Sequence, residues 1–211
     1  TQYAAAQDAN IFAKLNRGIS SISIINANVY NVVHADGLRL GVASRVKSIS
    51  IVDTTDNIDH NINLLQRVGM KIKTISQDNL GVDSTLELDA TEIKNNRSVL
   101  GKIITGYQLA AQNTAASQLS AMLANRKVIT IDVKDTASNI SRNWDNVNRI
   151  NTSINTVEVS DPATSIKIKA SQLALSRDLI SKFQFTGEGA ARTGTFKLEV
   201  TEAAANQVEE L

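Results

Sequence analysis

Two stretches of this 211-residue chain change their hydrophobic pattern in the same way, and this repetition limits the folds open to it. Residues 48–65 and residues 129–147 each begin with apolar residues at alternate positions, which is typical of a half-buried β-strand. Each stretch then reaches an Asp-Thr pair, after which apolar residues follow at helical spacing. The sequence therefore predicts that one strand-helix element is written twice.

The two copies match well beyond these stretches. Aligning Asp53 with Asp135 sets an offset of 82 residues, which is 135 minus 53. Identical pairs at this offset include Ile49/Ile131, Thr54/Thr136, Asn57/Asn139, Ile58/Ile140, Asn61/Asn143, Arg67/Arg149, Ile72/Ile154 and Thr74/Thr156. Past two loops of different length the offset falls to 80, and the identities continue with Ala90/Ala170, Arg97/Arg177 and Lys102/Lys182. A length difference confined to a predicted loop is what a duplication leaves.

Each copy predicts the same order of elements: a strand, a helix, two strands and a second helix. The Asp or Thr side chain before the first helix can accept a hydrogen bond from the first helical turn, so we expect it to act as the N-cap. For the second helix we expect the cap to be the hydroxyl of Thr91 or Ser171. The apolar face of the first helix is expected to lie on the sheet, and its residues are Ile58, Ile62 and Leu65 in one copy and Ile140, Trp144 and Val147 in the other.

A single strand-helix unit of this size cannot bury its apolar face alone, whereas stacked copies form a continuous core. We therefore predict an α+β fold built as a tandem repeat array of short β-strands with flanking helices, stacked like a solenoid. The predicted division is residues 1–44 as a partial or degenerate N-terminal repeat, 45–125 as one unit, and 126–211 as a second unit with a terminal strand.

The ends of the chain carry weaker signals. Residues 2–15 resemble residues 106–119 when their tyrosines are superposed, and we predict both as Ala-rich helices that lead to a strand. Residues 31–42 predict a hairpin turning at Asp36-Gly37. Near the other end, residues 195–200 predict one last strand.

Composition excludes several classes of function. The chain has 22 Lys and Arg against 21 Asp and Glu, so its net charge of +1 gives no electrostatic hold on nucleic acid. Cysteine is absent, which excludes disulfides, thiolate metal sites and a cysteine nucleophile. No apolar run approaches the roughly 18 to 20 residues that span a bilayer, so we expect no membrane insertion. Only 4% of residues are aromatic, which disfavours a deep aromatic-lined pocket.

The candidate sites favour structural roles. A repeated Asp at a strand end can be a metal ligand, but Asp56 and Asp59 near Asp53 become Ser138 and Ser141 in the second copy. A helix cap therefore explains the pair better than a shared calcium site. Trp144 falls on the core-facing helix stripe. We predict no catalytic, cofactor-binding or metal residues.

Other motifs point the same way. The two histidines, His34 and His60, have no partners at the spacing of a zinc site, which needs about four ligands. No GxSxG motif is present, so hydrolase chemistry is not expected. The Gly-rich residues 187–194 lead toward a strand rather than a helix, which favours a loop over a phosphate-binding cradle.

The pattern of a strand, Asp-Thr-x-x-Asn-Ile, a helix, two strands and an Ala-x-x-Leu/Ile helix resembles units repeated in very large bacterial surface proteins. Its signature residues here are Asp53, Thr54, Asn57 and Ile58, with Asp135, Thr136, Asn139 and Ile140 in the second copy. Such proteins are adhesin-like or surface-layer-like, and many are exported by type I systems. The resemblance covers roughly residues 45–185 and implies an extracellular or cell-surface structural protein, with a role in adhesion or biofilm, and no enzymatic activity. The chain lacks the Gly-rich calcium nonapeptides that many of these proteins carry, so calcium dependence is left open.

Three functions remain from this reading. The first is a structural or adhesive repeat segment whose partners are neighbouring repeats or identical subunits. The second is a carbohydrate-binding module that would contact cell-surface glycan through loops such as residues 76–83 and 159–165. The third is a subunit that polymerises into a filament or surface layer.

Overall fold

The computed structural model describes residues 21–34, 45–78, 84–184 and 196–202. By its internal contacts the chain divides into two compact units, Thr1–Gln108 and Leu109–Leu211. The sequence-derived boundaries at 44/45 and 125/126 follow the repeat rather than the contacts, and they stay a prediction. Both units contain helices and strands, so the fold is mixed helix and strand as expected.

The first unit contains four strands and five short helices in its described part. In chain order these are β1 (Ile22–Ala27), α1 (Val29–Val33), β2 (Val46–Asp53), α2 (Thr55–His60), α3 (Ile62–Arg67), β3 (Ile72–Gln77), β4 (Thr85–Asp89), α4 (Ala90–Asn95) and α5 (Arg97–Leu100). A 3-10 turn at Gly69–Lys71 precedes β3.

The second unit repeats this order. Its elements are β5 (Gln108–Thr114), α6 (Leu119–Leu123), β6 (Val128–Asp135), α7 (Ala137–Arg142), α8 (Trp144–Arg149), β7 (Ile154–Val159), β8 (Ser165–Lys169), α9 (Ala170–Ala174), α10 (Arg177–Ile180), β9 (Phe183–Gln184) and β10 (Lys197–Thr201). Short 3-10 turns at Ala116–Gln118 and Asn151–Ser153 precede α6 and β7.

Strand pairing is parallel in both units. In the first, β2 pairs with β1 on one side and β3 on the other, and Ile103 makes a further parallel bridge to Ile75. In the second, β6 lies between β5 and β7, β7 also pairs with β9, and β8 pairs with β10. Helical connections between successive strands produce this geometry, because a parallel pair needs a crossover.

Alternation along the strands sets which residues form the core. Ile49 and Ile51 of β2 are fully buried, as are Ile131 and Val133 at the matching places of β6. The intervening positions are polar or only partly buried, so among the described residues one face of each sheet forms the core and the other is more exposed. Parallel sheets are commonly covered on both faces; we call the polar, partly exposed second face the open face.

Each predicted first helix is in fact two short helices. Asn61 separates α2 from α3, and Asn143 separates α7 from α8, both with φ and ψ outside the helical range. Thr54 and Thr136 are the N-caps, and their hydroxyls accept the backbone N–H of Asn57 and Asn139, each at 3.2 Å. A cap at the predicted Asp-Thr pair therefore starts the helix, and an asparagine interrupts it.

The prediction that Thr91 or Ser171 caps the second helix is wrong. The carboxylate of Glu92 instead accepts the backbone N–H of Asp89 at 3.1 Å, and the side-chain oxygen of Gln172 accepts that of Lys169 at 2.8 Å. A side chain in the first turn thus reaches back to the residue before the helix, as in half of a capping box.

The prediction of a helix over residues 106–119 is also wrong, because residues 108–114 form the strand β5. Its counterpart is β1, and the offset is 87 residues rather than the 104 set by the tyrosines: Asn26 and Asn113 both have left-handed φ, at 53° and 46°. The proposed hairpin turn at Asp36-Gly37 and residues 2–15 lie outside the described residues, whereas Val29–Val33 are helical.

The predicted final strand is present as β10. It too has a residue with left-handed φ near its carboxyl end, Glu202 at 57°. Apolar residues stand four and two positions before this residue in every case, and they are Ile22 and Ile24, Leu109 and Ala111, and Leu198 and Val200. β1, β5 and β10 are therefore three copies of one repeated strand.

Candidate functional site: the aspartate junctions

Asp53 joins three segments of the first unit. Its Oδ2 accepts the backbone N–H of Val29 at 2.7 Å, which begins α1. Its Oδ1 accepts the backbone N–H of Thr54 at 2.8 Å and the side-chain N–H of Asn57 at 2.7 Å. Asp53 is 8% exposed, and its carboxylate lies at the start of two helices, where the backbone presents unpaired N–H groups to an anion.

Asp135 makes the same three bonds in the second unit. Its Oδ2 accepts the backbone N–H of Ala116 at 2.9 Å. Its Oδ1 accepts the backbone N–H of Thr136 at 2.8 Å and the side-chain N–H of Asn139 at 2.7 Å. Each aspartate is thus surrounded by hydrogen-bond donors. Donor N–H groups stabilise a carboxylate and compete with a cation for the same oxygens.

The remaining signature residues complete these junctions. Asn57 and Asn139 bridge from helix to aspartate, and the amides of Asn61 and Asn143 donate to the backbone carbonyls of Asn57 and Asn139, both at 2.9 Å. The residues predicted to form the apolar stripe are all buried, and they are Ile58, Ile62, Leu65, Ile140, Trp144 and Val147. The polar and apolar residues of the repeated motif therefore all stabilise the junction between the strand and the helices that follow it.

One lysine side chain in each unit binds two backbone carbonyls, and we call this contact the lysine tie. The identity of Lys102 and Lys182 is visible in the sequence, but these bonding partners were not predicted from it. Lys102 Nζ donates to the carbonyl oxygens of Gly69 and Ile72, the second at 2.6 Å. Lys182 Nζ donates to those of Asn151 and Ile154, the second also at 2.6 Å. In both units the lysine after the second helix holds the 3-10 turn that precedes the third strand.

In each unit a side-chain hydrogen bond also joins two helices, and we call it the helix-helix tie. Its donor and acceptor are exchanged between the two units. Asn63 Nδ2 of α3 donates to Glu92 Oε1 of α4 at 2.7 Å. At the matching place Gln172 Nε2 of α9 donates to Asp145 Oδ1 of α8 at 2.6 Å. The carboxylate and the amide have changed sides, which leaves one donor and one acceptor in each unit.

This exchange yields a test of the tie. We expect Asn63→Asp to lower the free energy of unfolding by about 0.5–1 kcal/mol, because it sets two exposed carboxylates face to face. Adding Glu92→Gln recreates the pair of the second unit and should recover most of the loss. Urea denaturation of the two single variants and the double variant, followed by circular dichroism, measures the coupling; additive effects would contradict the tie.

Asp59 carries a titratable carboxyl group, whereas its counterpart in the second unit, Ser141, carries a hydroxyl. Its Oδ2 accepts the backbone N–H of Glu87 at 3.1 Å, and Ser141 Oγ accepts that of Lys167 at 2.8 Å in the second unit. Burial raises the pKa of Asp59 to about 6, although the Glu87 N–H and His60 oppose the shift. Glu92 and Glu87 add smaller contributions that also raise it. The first unit therefore carries a titrating group where the second has a neutral hydroxyl.

The raised pKa predicts a pH dependence. Because the folded-state value lies above the unfolded value, Asp59 contributes stability that is complete below about pH 4 and lost as the pH rises through about 6. We expect Asp59→Ser to keep the bond to Glu87 and raise the free energy of unfolding at pH 7.5 by about 1 kcal/mol, because solvent partly screens this half-exposed carboxylate. Denaturation at pH 4.5 and 7.5 compares the variant with wild type. Equal gains at both pH values would contradict this origin.

The histidines bind neighbouring groups of the protein. His34 Nε2 lies 2.8 Å from Asn61 Oδ1, and His60 Nδ1 lies 2.8 Å from the carbonyl oxygen of Asp56. Over the described ranges, no three His, Asp or Glu side chains are grouped to hold a metal ion.

The open face of the second unit carries a polar depression of about 330 Å³. Asp132 accepts hydrogen bonds there from the Asn155 amide at 2.9 Å and the Thr156 hydroxyl at 2.6 Å, and Lys134 pairs with Glu158 at 3.0 Å. The corresponding face of the first unit has Ser50, Val52 and Ser76 at the places of Asp132, Lys134 and Glu158. This charged face is therefore specific to the second unit.

The Gly-rich residues 187–194 lie outside the described residues. None of the helices that the structure describes is long and apolar enough to cross a membrane. Comparison of the chain with protein-family models, with curated proteins and with solved structures finds no match in any of the three.

Proposed function

We propose that this chain is a non-catalytic structural segment, built from tandem repeats, of a large bacterial protein that is secreted or displayed at the cell surface. The observation that carries the proposal is the equivalence of the Asp53 and Asp135 junctions, in which each aspartate binds the same three kinds of donor in its unit. A repeated polar motif whose hydrogen bonds are all internal serves the construction of the unit.

The other recurring polar side chains support this role. The two lysine ties and the two helix-helix ties bind groups of their own unit. A catalytic or ligand-binding motif would instead direct such groups into a cavity that a substrate can enter. The recurring polar side chains therefore connect elements within a unit, which suits a chain that gains length by adding copies.

In the proposed array, strands of successive units form the spine and the helices lie on its flank. Such a segment would act as a spacer or an adhesive scaffold outside the cell. Its partners would be neighbouring repeats of the same chain or identical subunits.

Solution scattering of residues 1–211, with and without millimolar calcium, tests this proposal together with sedimentation over a range of concentrations. We expect an elongated particle whose dimensions do not change with calcium, because N–H donors already occupy the recurring aspartates. A compact particle, or one that tightens when calcium is added, would contradict the proposal.

A carbohydrate-binding role is the second candidate, and the polar depression on the open face of the second unit favours it. Asp132, Asn155 and Thr156 line it with carboxylate, amide and hydroxyl groups that can bind sugar hydroxyls, and its volume of about 330 Å³ lies at the lower end of the range for small-molecule sites. Calorimetric titration with neutral oligosaccharides tests it. Binding by wild type that is lost in Asp132→Ala, and retained in Ser50→Ala of the first unit, would support this role.

A further inference from the structure

The pairing of β10 with β8 shows how one repeat can join the next. β10 is the third copy of the strand that begins each unit, as its left-handed residue Glu202 and its apolar positions indicate. It runs parallel to β8 over five residue pairs, from Lys197 opposite Ser165 to Thr201 opposite Lys169. A strand equivalent to β1 thus pairs with β8 within the second unit.

Charge complementarity strengthens this pairing. Lys167 pairs with Glu199 at 3.3 Å and Lys169 with Glu202 at 3.0 Å, while the Thr201 hydroxyl donates to the carbonyl of Ile168 at 3.2 Å. These ion pairs are exposed, so each contributes little by itself. Reversing both acidic charges would replace two attractions with two repulsions along a five-residue strand.

β1 has one edge that no described strand covers. Among the described strands it pairs only with β2, and the Ile22 N–H donates to the Arg45 carbonyl on that side at 2.9 Å. Because the backbone groups of a strand alternate between its edges, those of Ser23 and Ile25 face away from β2. The Ile25 side chain is 72% exposed. An edge with its backbone groups available is a template for another strand.

We propose that the outer edge of β1 binds the β8 strand of a second copy of this chain, in parallel, with β10 as the occupant that it displaces. The register follows from β10: Leu198 corresponds to Ile22, so Ser23 should lie opposite Lys167 of the other copy and Ile25 opposite its Lys169. The inference rests on the proposed repeat-segment role, since it uses the equivalence of β1 and β10. It leaves the location of the protein open.

The charges on the two candidate strands decide which of them holds β8. β10 presents Glu199 and Glu202 to the lysines of β8. The corresponding residues of β1 are Ser23 and Asn26, which are uncharged and neither attract nor repel those lysines. β10 therefore competes better, and it also has the advantage of belonging to the same chain. The exchange between copies should be weak in wild type and should increase when β10 is weakened.

The absence of cysteine from the sequence permits a direct test by disulfide trapping. One 211-residue chain carries Ser23→Cys and another carries Lys167→Cys, both with Glu199→Lys and Glu202→Lys, and the mixture is oxidised under mild conditions. Adjacent strands place such a pair within disulfide reach. The matched control pairs Ser23→Cys with Ser165→Cys, which is two residues, or roughly 7 Å, out of register.

We expect at least a fivefold excess of the in-register heterodimer over the control, increasing with protein concentration and lower when β10 keeps its glutamates. Ile25→Pro in the Ser23→Cys chain should abolish the product by removing an outward N–H, while Ile25→Ala should retain it. Circular dichroism verifies that both variants fold. Equal crosslinking of the two pairs, absence of a heterodimer at millimolar protein, or insensitivity to the β10 charges would overturn the inference.

These results are distinguishable from failure of the proposed function. An elongated, calcium-indifferent particle without specific crosslinks would leave the structural role standing and remove the strand exchange. A compact particle with specific crosslinks would do the reverse.

Discussion

Replacing Trp144 with alanine should lower the free energy of unfolding of the second unit by about 4 kcal/mol, within the range of large-to-small aromatic changes in cores. The side chain is 1% exposed, its Nε1–H donates to Ser176 Oγ at 3.0 Å, and its ring stacks on Phe183 with centroids 6.1 Å apart. The substitution removes all of these contacts and leaves a cavity beneath α8. Urea denaturation followed by circular dichroism measures the loss, since the variant has no tryptophan to report by fluorescence.

Trp144→Ile is the matched control, because Ile62 occupies this place in the first unit. It restores an apolar side chain but removes the donor to Ser176, so we expect about half of the alanine loss. A loss below about 1 kcal/mol for alanine would contradict the placement of Trp144 in the core.

Replacing Asp53 with alanine should lower the free energy of unfolding of the first unit by about 3 kcal/mol, because hydrogen bonds to a buried charged group are lost and two backbone N–H groups lose their acceptor. The affected groups are the N–H of Val29 and of Thr54, at the start of α1 and before α2. Asp135→Ala should act similarly in the second unit through Ala116 and Thr136. Trp144 fluorescence follows the second unit, and circular dichroism follows both.

Asp56→Ala provides the control for charge alone. Asp56 is exposed in the first turn of α2, where a carboxylate contributes only about 0.3–1 kcal/mol through the helix dipole. An Asp53→Ala loss no larger than that of Asp56→Ala would show that the junction bonds contribute little. Neither loss should depend on calcium, because the partners of Asp53 are N–H donors.

The exposed edge of β1 bears on both remaining roles. If a β8 strand of another copy binds there, the chain can assemble head to tail, which would connect the structural segment with the filament alternative. The glycan alternative uses a different surface, the polar face formed by β5, β6 and β7. Variants at Glu199 and Asp132 therefore separate assembly from ligand binding.

Local periodicity determined much of the fold. Alternating apolar residues marked β2 and β6, and the Asp-Thr pairs marked the start of the following helices, because strand and helix periods differ and short polar side chains favour N-caps. The apolar stripe from Ile58 to Leu65 and its counterpart around Trp144 were identified from spacing alone. All of these signals operate within a few neighbouring residues of the chain.

Tertiary structure decided what local signals leave ambiguous. Residues 108–114 are rich in alanine and glutamine, which favour a helix, yet their pairing with β6 and the burial of Leu109 to Ala111 make them a strand. The long-range bonds of the aspartates and lysines join residues 19 to 33 positions apart, and the partners in these bonds are backbone groups that carry no sequence signature. The sequence by itself determined the repeating elements and their caps, whereas strand partners and long-range ties depend on which backbone groups folding brings together.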